Sequence, residues 1–401
     1  MSTGKTILCI ACYFKGVEFL KACKASGARV LLLTLEKLAG ERWPDEYIDD
    51  RFYLPGEPDD WDRDTLLKGV SHVARTESID RIVALDDLDL EKAALLREHL
   101  RVRGLGETNT RHVRDKLAMR QVARDAGIAV PPFVSAINTS GIERFMHDVP
   151  APWIMKPRSQ AAATGMSKLA SPEQVWHAVN SRGDDFSAYL IEQFVPGEIF
   201  HVDCLIVHGQ VPFARPHRYR KPPMSVAHEG GVFATHSMDP EDDLTRELLA
   251  LNARVLAALG HRHGCAHTEF IRGADGTLYF LETGARVGGA HISDLVLQCT
   301  GVSLWAEWAR IELLDPDQPY QPQATKDEYG GLLVALSRQE WPDLSSYDAP
   351  EVAWQLHKHH HAGLIVTSPS LDRVLELMEL YEARIASDFL ASLPVPDKPV
   401  A

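Results

Sequence analysis

Two carboxylates in the segment His267–Arg286, HTEFIRGADGTLYFLETGAR, stand at a spacing that local folding brings together. Asp275-Gly276, between apolar and alternating arms, is a strong signal for a two-residue hairpin turn. With that pair as the loop, Glu269 falls directly opposite Glu282 on one face, and a four-residue loop on the same centre keeps the register. The Cβ atoms of such a pair lie about 4.5–5.5 Å apart, where like charges oppose each other. Hard divalent cations take oxygen ligands, and Mg²⁺ is commonly held by one or two carboxylates together with substrate phosphates. Glu269 and Glu282 therefore read as a Mg²⁺ site. The competing reading is a pair of solvated carboxylates. Against it, the register places them on the same face as Ile271, Leu278 and Phe280, which makes that face half buried.

Four residues beyond Glu282 stands Arg286, followed by Gly288-Gly289. A cation beside a metal–phosphate site, with backbone free to approach, suits negative charge developing in phosphoryl or acyl transfer. The alternative is an ordinary surface Arg in a turn. Lys156 ends a strand and precedes PRSQAAATGMSKL. The small residues, the hydroxyls of Ser159 and Thr164 and free backbone N–H groups suit a loop over phosphates; read alone, the segment is equally a surface loop. It is not the Walker pattern, which needs G-x-x-x-x-G-K-[ST] leading into a helix. Cys9 and Cys12 form C-x-x-C inside a strand with no second Cys or His pair, so they read as two small buried thiols. Asp86, Asp87 and Asp89 follow a strand and read as a solvated strand end.

These groups need a scaffold. The first hundred residues alternate strand and helix signals, with apolar runs at 6–12, 29–34 and 81–85, which indicates a parallel sheet covered on both faces. The first turn lacks G-x-G-x-x-G, which argues against a dinucleotide site. A helix is expected from Asn109 or Thr110 through Ala126, stopped by Gly127 and Pro131-Pro132. Strands are expected at 153–156, 190–194 and 199–207, then the hairpin. A tail from about 328 carries strands at 331–335 and 363–366 and an amphipathic helix at 371–384. His357–His361 reads as strand and turn.

Composition narrows the classes. A chain of 401 residues holds two or three domains on the usual size of about 100–200 residues per domain. Its 45% hydrophobic and 24% charged content excludes a disordered chain. A formal net charge of −14 argues against a general nucleic-acid binder, which needs a basic face. No apolar run is long enough to span a membrane, and the first residues read as a strand rather than a signal peptide. Scattered cysteines in apolar runs fit a reducing, cytoplasmic setting.

Taken in order, RDK (Arg114–Lys116), IMKP (Ile154–Pro157), LIEQFVPGE (Leu190–Glu198), HTEF (His267–Phe270) and LETGARVGG (Leu281–Gly289) resemble the motifs of the ATP-grasp superfamily. Within it, the chain resembles carboxylate–amine ligases, notably the L-amino-acid ligase branch. The resemblance implies a three-domain ATP-grasp architecture: an α/β N-terminal domain (1–108), an α+β central lid (109–190) and a C-terminal domain (191–401) with a small terminal subdomain from about 328. It implies that Lys116 and Lys156 contact ATP phosphates. Gln193 and Val195 would bind adenine through backbone groups, with Glu192 beside them. Glu269 and Glu282 match the family's Mg²⁺ carboxylates, with Mn²⁺ as a substitute, and Arg286 matches its catalytic Arg. Three positions depart from the pattern. Gly284 stands where the family often has a metal-binding Asn. Ile199 stands where a ribose-binding Glu is usual, with Glu198 one residue early. Thr164 replaces a Ser in the lid loop.

The implied activity is ATP-dependent amide-bond formation between small-molecule carboxylate and amine substrates through an acyl phosphate, releasing ADP and phosphate. The rivals are a bicarbonate-activating, carboxylase-like enzyme and a non-catalytic ATP-binding sensor or scaffold. Residues 215–236, with Arg215, Arg218, Arg220 and Lys221, form the candidate specificity region or a solvated basic loop. Among the histidines, His267 shares a strand face with Glu269 by period two. An α/β first domain with exposed apolar helices is compatible with a homodimer.

Overall fold

The structure is a computed structural model, and the residues described are 4–160, 165–315, 318–322, 326 and 328–391. Three sheets organise the chain. The first contains β1 (Thr6–Ala11), β2 (Arg29–Leu35), β3 (Asp50–Leu54) and β4 (Arg81–Ala84), in the order β3-β2-β1-β4 and parallel throughout. Helices α1 (Val17–Ala25), α2 (Arg63–Val73) and α3 (Leu90–Leu100) cover it. All six residues of β1 are buried, as a strand covered on both faces requires. Cys9 and Cys12 are free and buried among them.

The helix expected from 109 to 126 is broken. A short α4 (Glu107–Thr110) and a 3₁₀ turn precede α5 (Lys116–Asp125). Asp115 forces the break: its extended backbone starts a new helix, and its side chain accepts from the Leu117 and Ala118 N–H groups.

The middle sheet is antiparallel, in the order β5-β8-β6-β7, from β5 (Phe133–Ser135), β6 (Trp153–Pro157), β7 (Ser167–Leu169) and β8 (Tyr189–Gln193). With α6 (Thr139–Asp148) and α7 (Pro172–Asn180) it encloses its own core of Ile142, Trp153, Met155, Val175 and Ile191.

The third sheet has eight strands in the order β13-β12-β9-β10-β11-β14-β16-β15. They are β9 (Gly197–Val207), β10 (Gln210–Tyr219), β11 (Phe233–Ser237), β12 (Gly264–Gly273), β13 (Leu278–Gly284), β14 (Tyr329–Leu336), β15 (Val352–Gln355) and β16 (His361–Ser368). Helices α8 (Pro223–Glu229), α9 (Asp243–Leu259), α10 (Ile292–Thr300), α11 (Leu304–Leu313) and α12 (Leu371–Asp388) interleave with or follow them. One face of this sheet (Phe200, Val202, Phe270, Phe280) belongs to the same hydrophobic core as the first sheet. Phe19 of α1 meets Trp308 of α11 edge-on at 4.9 Å, both buried. Burying such a side chain stabilises the fold by about 1.5–3 kcal/mol. The first and third sheets are thereby held together, and loops after β4 face strands more than a hundred residues later. No helix among the described residues is long and apolar enough to cross a membrane.

Candidate active site

Glu269 and Glu282 are paired directly across β12 and β13, as the hairpin arithmetic expects. The turn differs. Gly273 N–H donates to the Thr277 carbonyl and Gly276 adopts φ +81°, giving a longer turn than Asp275-Gly276 alone. The register then shifts between Glu269 and Phe270, where Leu281 is the extra residue of a β-bulge. The bulge corrects the expected face. Phe280 pairs with Phe270 and Leu278 with Arg272, so both lie on the core side, away from the carboxylates. It also frees the Leu281 carbonyl, which accepts from Arg120 Nη1.

Each carboxylate has one oxygen engaged. Glu269 Oε1 accepts from the Tyr219 hydroxyl at 2.9 Å, and Glu282 Oε2 lies 3.0 Å from Lys116 Nζ. Glu269 Oε2 and Glu282 Oε1 have no protein partner among the described residues. Two facing carboxylates with free oxygens fit a hard divalent cation.

Cations surround the pair. Lys116 opens α5 and donates to the Gln160 carbonyl at 2.6 Å, which ties α5 to the segment after β6. Lys156 on β6 is buried and ion-paired with Glu192 of β8. Arg120, one helical turn beyond Lys116, donates from Nε to Glu192 Oε2 at 3.0 Å. Burial pushes the Lys156 ammonium down to about 8 despite Glu192. Burial would raise Glu282, but Lys116 and Lys156 outweigh it and hold the carboxyl at about 2.

Arg286 is tied to the first sheet. Its Nε donates to Asp87 Oδ2 at 2.7 Å and Nη1 to the Val287 carbonyl. The expectation of a solvated Asp86–Asp89 strand end is overturned, since all three aspartates are buried. Packing of the two sheets covers them. Asp86 pairs with Lys15, and Asp89 accepts from the Cys12 N–H at 2.9 Å. Gly284 makes room for Asp87: a Cβ there would stand 2.9 Å from Asp87 Oδ1. At position 284 the chain thus has a glycine and, against it, a carboxylate from the 3₁₀ turn after β4. Asp87, Lys116, His267, Glu282 and Arg286 line one narrow cavity of about 50 Å³.

Beneath Glu269 lies a buried polar row. Asp203 of β9 accepts from His201 Nδ1 at 2.6 Å and from His267 Nδ1 at 2.9 Å. His267 Nε2 is 3.7 Å from Glu269 Oε1. Burial disfavours the His267 cation, yet Asp203 and Glu269 raise it to about 9, so the ring is charged at neutral pH. His201 is held down chiefly by burial. It donates from Nδ1 to Asp203, and its Nε2 lies 2.8 Å from the Thr235 hydroxyl, which is also 3.1 Å from the Arg218 carbonyl. His217 stacks on it with ring centroids 4.8 Å apart.

The other expected residues are dispersed. Val195 follows β8, and its backbone groups have no partner among the described residues; the Gln193 N–H donates to the Pro132 carbonyl. Glu198 pairs with Arg218, and by register it lies on the opposite face of β9 from His201 and Asp203. Ser159 is half-buried beyond β6, and Thr164 lies outside the described residues. The segment 215–236 is not a loop but β10, α8 and β11. Arg220 and Lys221 both pair with Glu382 of α12. Arg215 sits opposite Asp203 in register and has no ion-pair partner among the described residues.

This frame matches known structures. An L-amino acid ligase from Bacillus licheniformis superposes with a TM-score of 0.77 over 97% of this chain and 99% of that one, at 18% identity. The chain has the ATP-grasp fold. A carboxyaminoimidazole ribonucleotide synthase from Aspergillus clavatus, solved with ATP, superposes with a TM-score of 0.74 over 97% of this chain and all of that one, at 12% identity. In sequence, the chain is 25% identical over 267 residues to an L-arginine-specific L-amino acid ligase of Bacillus subtilis. That match covers 64% of this chain and 64% of the relative, so the chain spans just under two thirds of that curated relative's length. No family model matches the chain.

Sequence reasoning missed Asp87, Arg120, Asp203 and Tyr219. Arg120 was detectable four residues after Lys116 on one helix face, and Asp203 two residues after His201 on one strand face. Nothing local marks Asp87, whose position depends on how two sheets pack.

Proposed function

We propose that this chain is an ATP-dependent carboxylate–amine ligase that forms an amide or peptide bond between amino acids or other small carboxylic acids, releasing ADP and phosphate. The observation that carries the reading is the pair Glu269–Glu282, held opposite each other with one free oxygen apiece and ringed by Lys116, Lys156 and Arg286. The similarity to amino acid ligases in fold and sequence supports it.

Glu269 and Glu282 would hold Mg²⁺, with Mn²⁺ as a substitute, which supplies neutralisation of phosphate charge when bound. Lys116 and Lys156 add positive charge along the phosphates, and the backbone of Gln193 and Val195 borders the adenine. A carboxylate attacks the γ-phosphate to give an acyl phosphate, a step that rests on positioning and charge stabilisation. Arg286, fixed by Asp87, keeps Nη2 for the transferred group and then for the oxyanion formed when the amine attacks. Glu192 and Arg120 position Lys156 rather than touch substrate. Arg215 is the candidate cation for a substrate carboxylate. The middle sheet, tied to α5 through Lys116 and Arg158, would exclude water from the acyl phosphate.

The test is ADP and phosphate release by the purified protein with ATP and Mg²⁺ against amino acids and small carboxylic acids, singly and paired, with mass spectrometry of products. The expected result is release that needs a specific pair, with a product mass equal to their sum minus water, and its loss in Glu282→Ala. ATP bound without turnover across the panel would favour a sensor instead.

A further inference from the structure

A second cavity, of about 470 Å³, lies behind the candidate site, between the first sheet and the ends of α9 and α11. Its volume falls within the range of small-ligand pockets, about 300–1,000 Å³. We propose that it binds a small organic anion carrying at least two negative charges on phosphate or carboxylate groups. The inference does not depend on the ligase reading.

Charge is the first argument. Arg81, Arg97, Arg103 and Arg262 line the cavity against a single carboxylate, Glu312, one of whose oxygens takes the Trp308 indole N–H at 2.9 Å. None of the four has an ion-pair partner among the described residues. Arg81 spends its donors on the Asp80, Glu312 and Leu314 carbonyls. Arg97 donates to the Ile82 and Leu105 carbonyls and keeps Nη2 free. The side chains of Arg103 and Arg262, at the exposed rim, have no hydrogen-bond or ion-pair partner among the described residues. Arg97 Nη2 and the guanidinium forks of Arg103 and Arg262 thus remain for a ligand on one concavity, matching the geometry of phosphate and carboxylate.

The second argument is a buried polar atom left over. His261 is only 4% exposed and lines the cavity. Its Nε2 is bonded to the Cys265 carbonyl at 2.8 Å, and its Nδ1 has no partner. Because Nε2 donates to a carbonyl, Nδ1 is an acceptor, and buried polar atoms are rarely left so; a hydroxyl carried by the ligand beside its charged groups would satisfy it. Trp308 gives the ligand's body an apolar wall. Ala285 is also part of the lining, and its neighbour Arg286 faces the candidate active site, so the occupant sits directly behind that arginine.

The test is calorimetric titration of the intact protein with inorganic pyrophosphate and, separately, citrate, in phosphate-free buffer. The two arms distinguish phosphate from carboxylate ligands. The expected result is one binding event per chain that Arg103→Glu and Arg262→Glu each weaken by about tenfold or more. Both side chains are exposed, so melting temperatures equal to the parent's confirm that the variants fold. Failure of both anions to bind, or binding that both charge reversals leave unchanged, would overturn the proposal.

Discussion

Asp87 and Arg286 meet across two sheets and 199 residues of chain, with Nε donating to Oδ2 at 2.7 Å. The carboxylate fixes the guanidinium from behind and leaves Nη2 unspent. Asp87→Asn should therefore lower kcat while changing the KM for ATP little. Misplacing a group at a reacting centre costs up to about 10²-fold, and removing Arg286 as Ala should cost about 10²–10³-fold. Steady-state kinetics of both variants check this. Equal, small effects on both parameters would contradict the positioning role.

Gly284 is tied to the same pair. An alanine there would place its Cβ 2.9 Å from Asp87 Oδ1, closer than side chains tolerate. Gly284→Ala should destabilise by about 1–3 kcal/mol through overpacking and depress activity like Asp87→Asn. Combined with Asp87→Ala, its stability cost should largely vanish, because the clashing atom is gone. Thermal melting of the single and double variants reads this directly.

His267 makes stability pH-dependent. Its value rises from 6.5 in the unfolded chain to about 9 when folded. The folded state then binds more protons between those values, so the contribution is complete below 6.5 and is lost as pH rises through about 9. The melting temperature of the parent should fall between pH 6.5 and 8, and His267→Gln should flatten that slope. An unchanged slope would count against the ion pairs with Asp203 and Glu269.

Lys156 acts in the opposite sense on stability and limits function. Its folded value is about 8 against an ordinary 10.5, so the folded protein sheds this proton first and its stability contribution grows with pH above 8. If Lys156 meets the ATP phosphates as proposed, the charge that serves them is lost over the same range. The KM for ATP should rise above about pH 8, and Lys156→Arg should remove that rise because guanidinium stays charged. KM measured from pH 7 to 9.5 decides it.

Local pattern carried much of this. Strand period and a turn signal pointed to the Glu269–Glu282 pairing, but the turn formed sets a register one residue off and the bulge at Leu281 restores that pairing. The same bulge hid the true faces of Leu278 and Phe280, since an extra residue shifts side chains without any distinctive composition. The buried β1 and β2 runs were legible for the same reason that short apolar strands usually are. The break at Asp115 was readable as a cap and was overridden by apolar spacing on either side. Asp87, Asp203 and Tyr219 depend on which elements pack together, and that information is not written in any window of sequence. Arg220 and Lys221 looked free until α12, some 160 residues later, supplied Glu382.

The most direct test follows oxygen. With a substrate carboxylate labelled with ¹⁸O, attack on the γ-phosphate transfers one labelled oxygen into the released phosphate. The expected products are ADP and singly labelled phosphate, formed in step with the amide product and abolished in Glu282→Ala. Unlabelled phosphate, or release of AMP and pyrophosphate, would contradict the acyl-phosphate route.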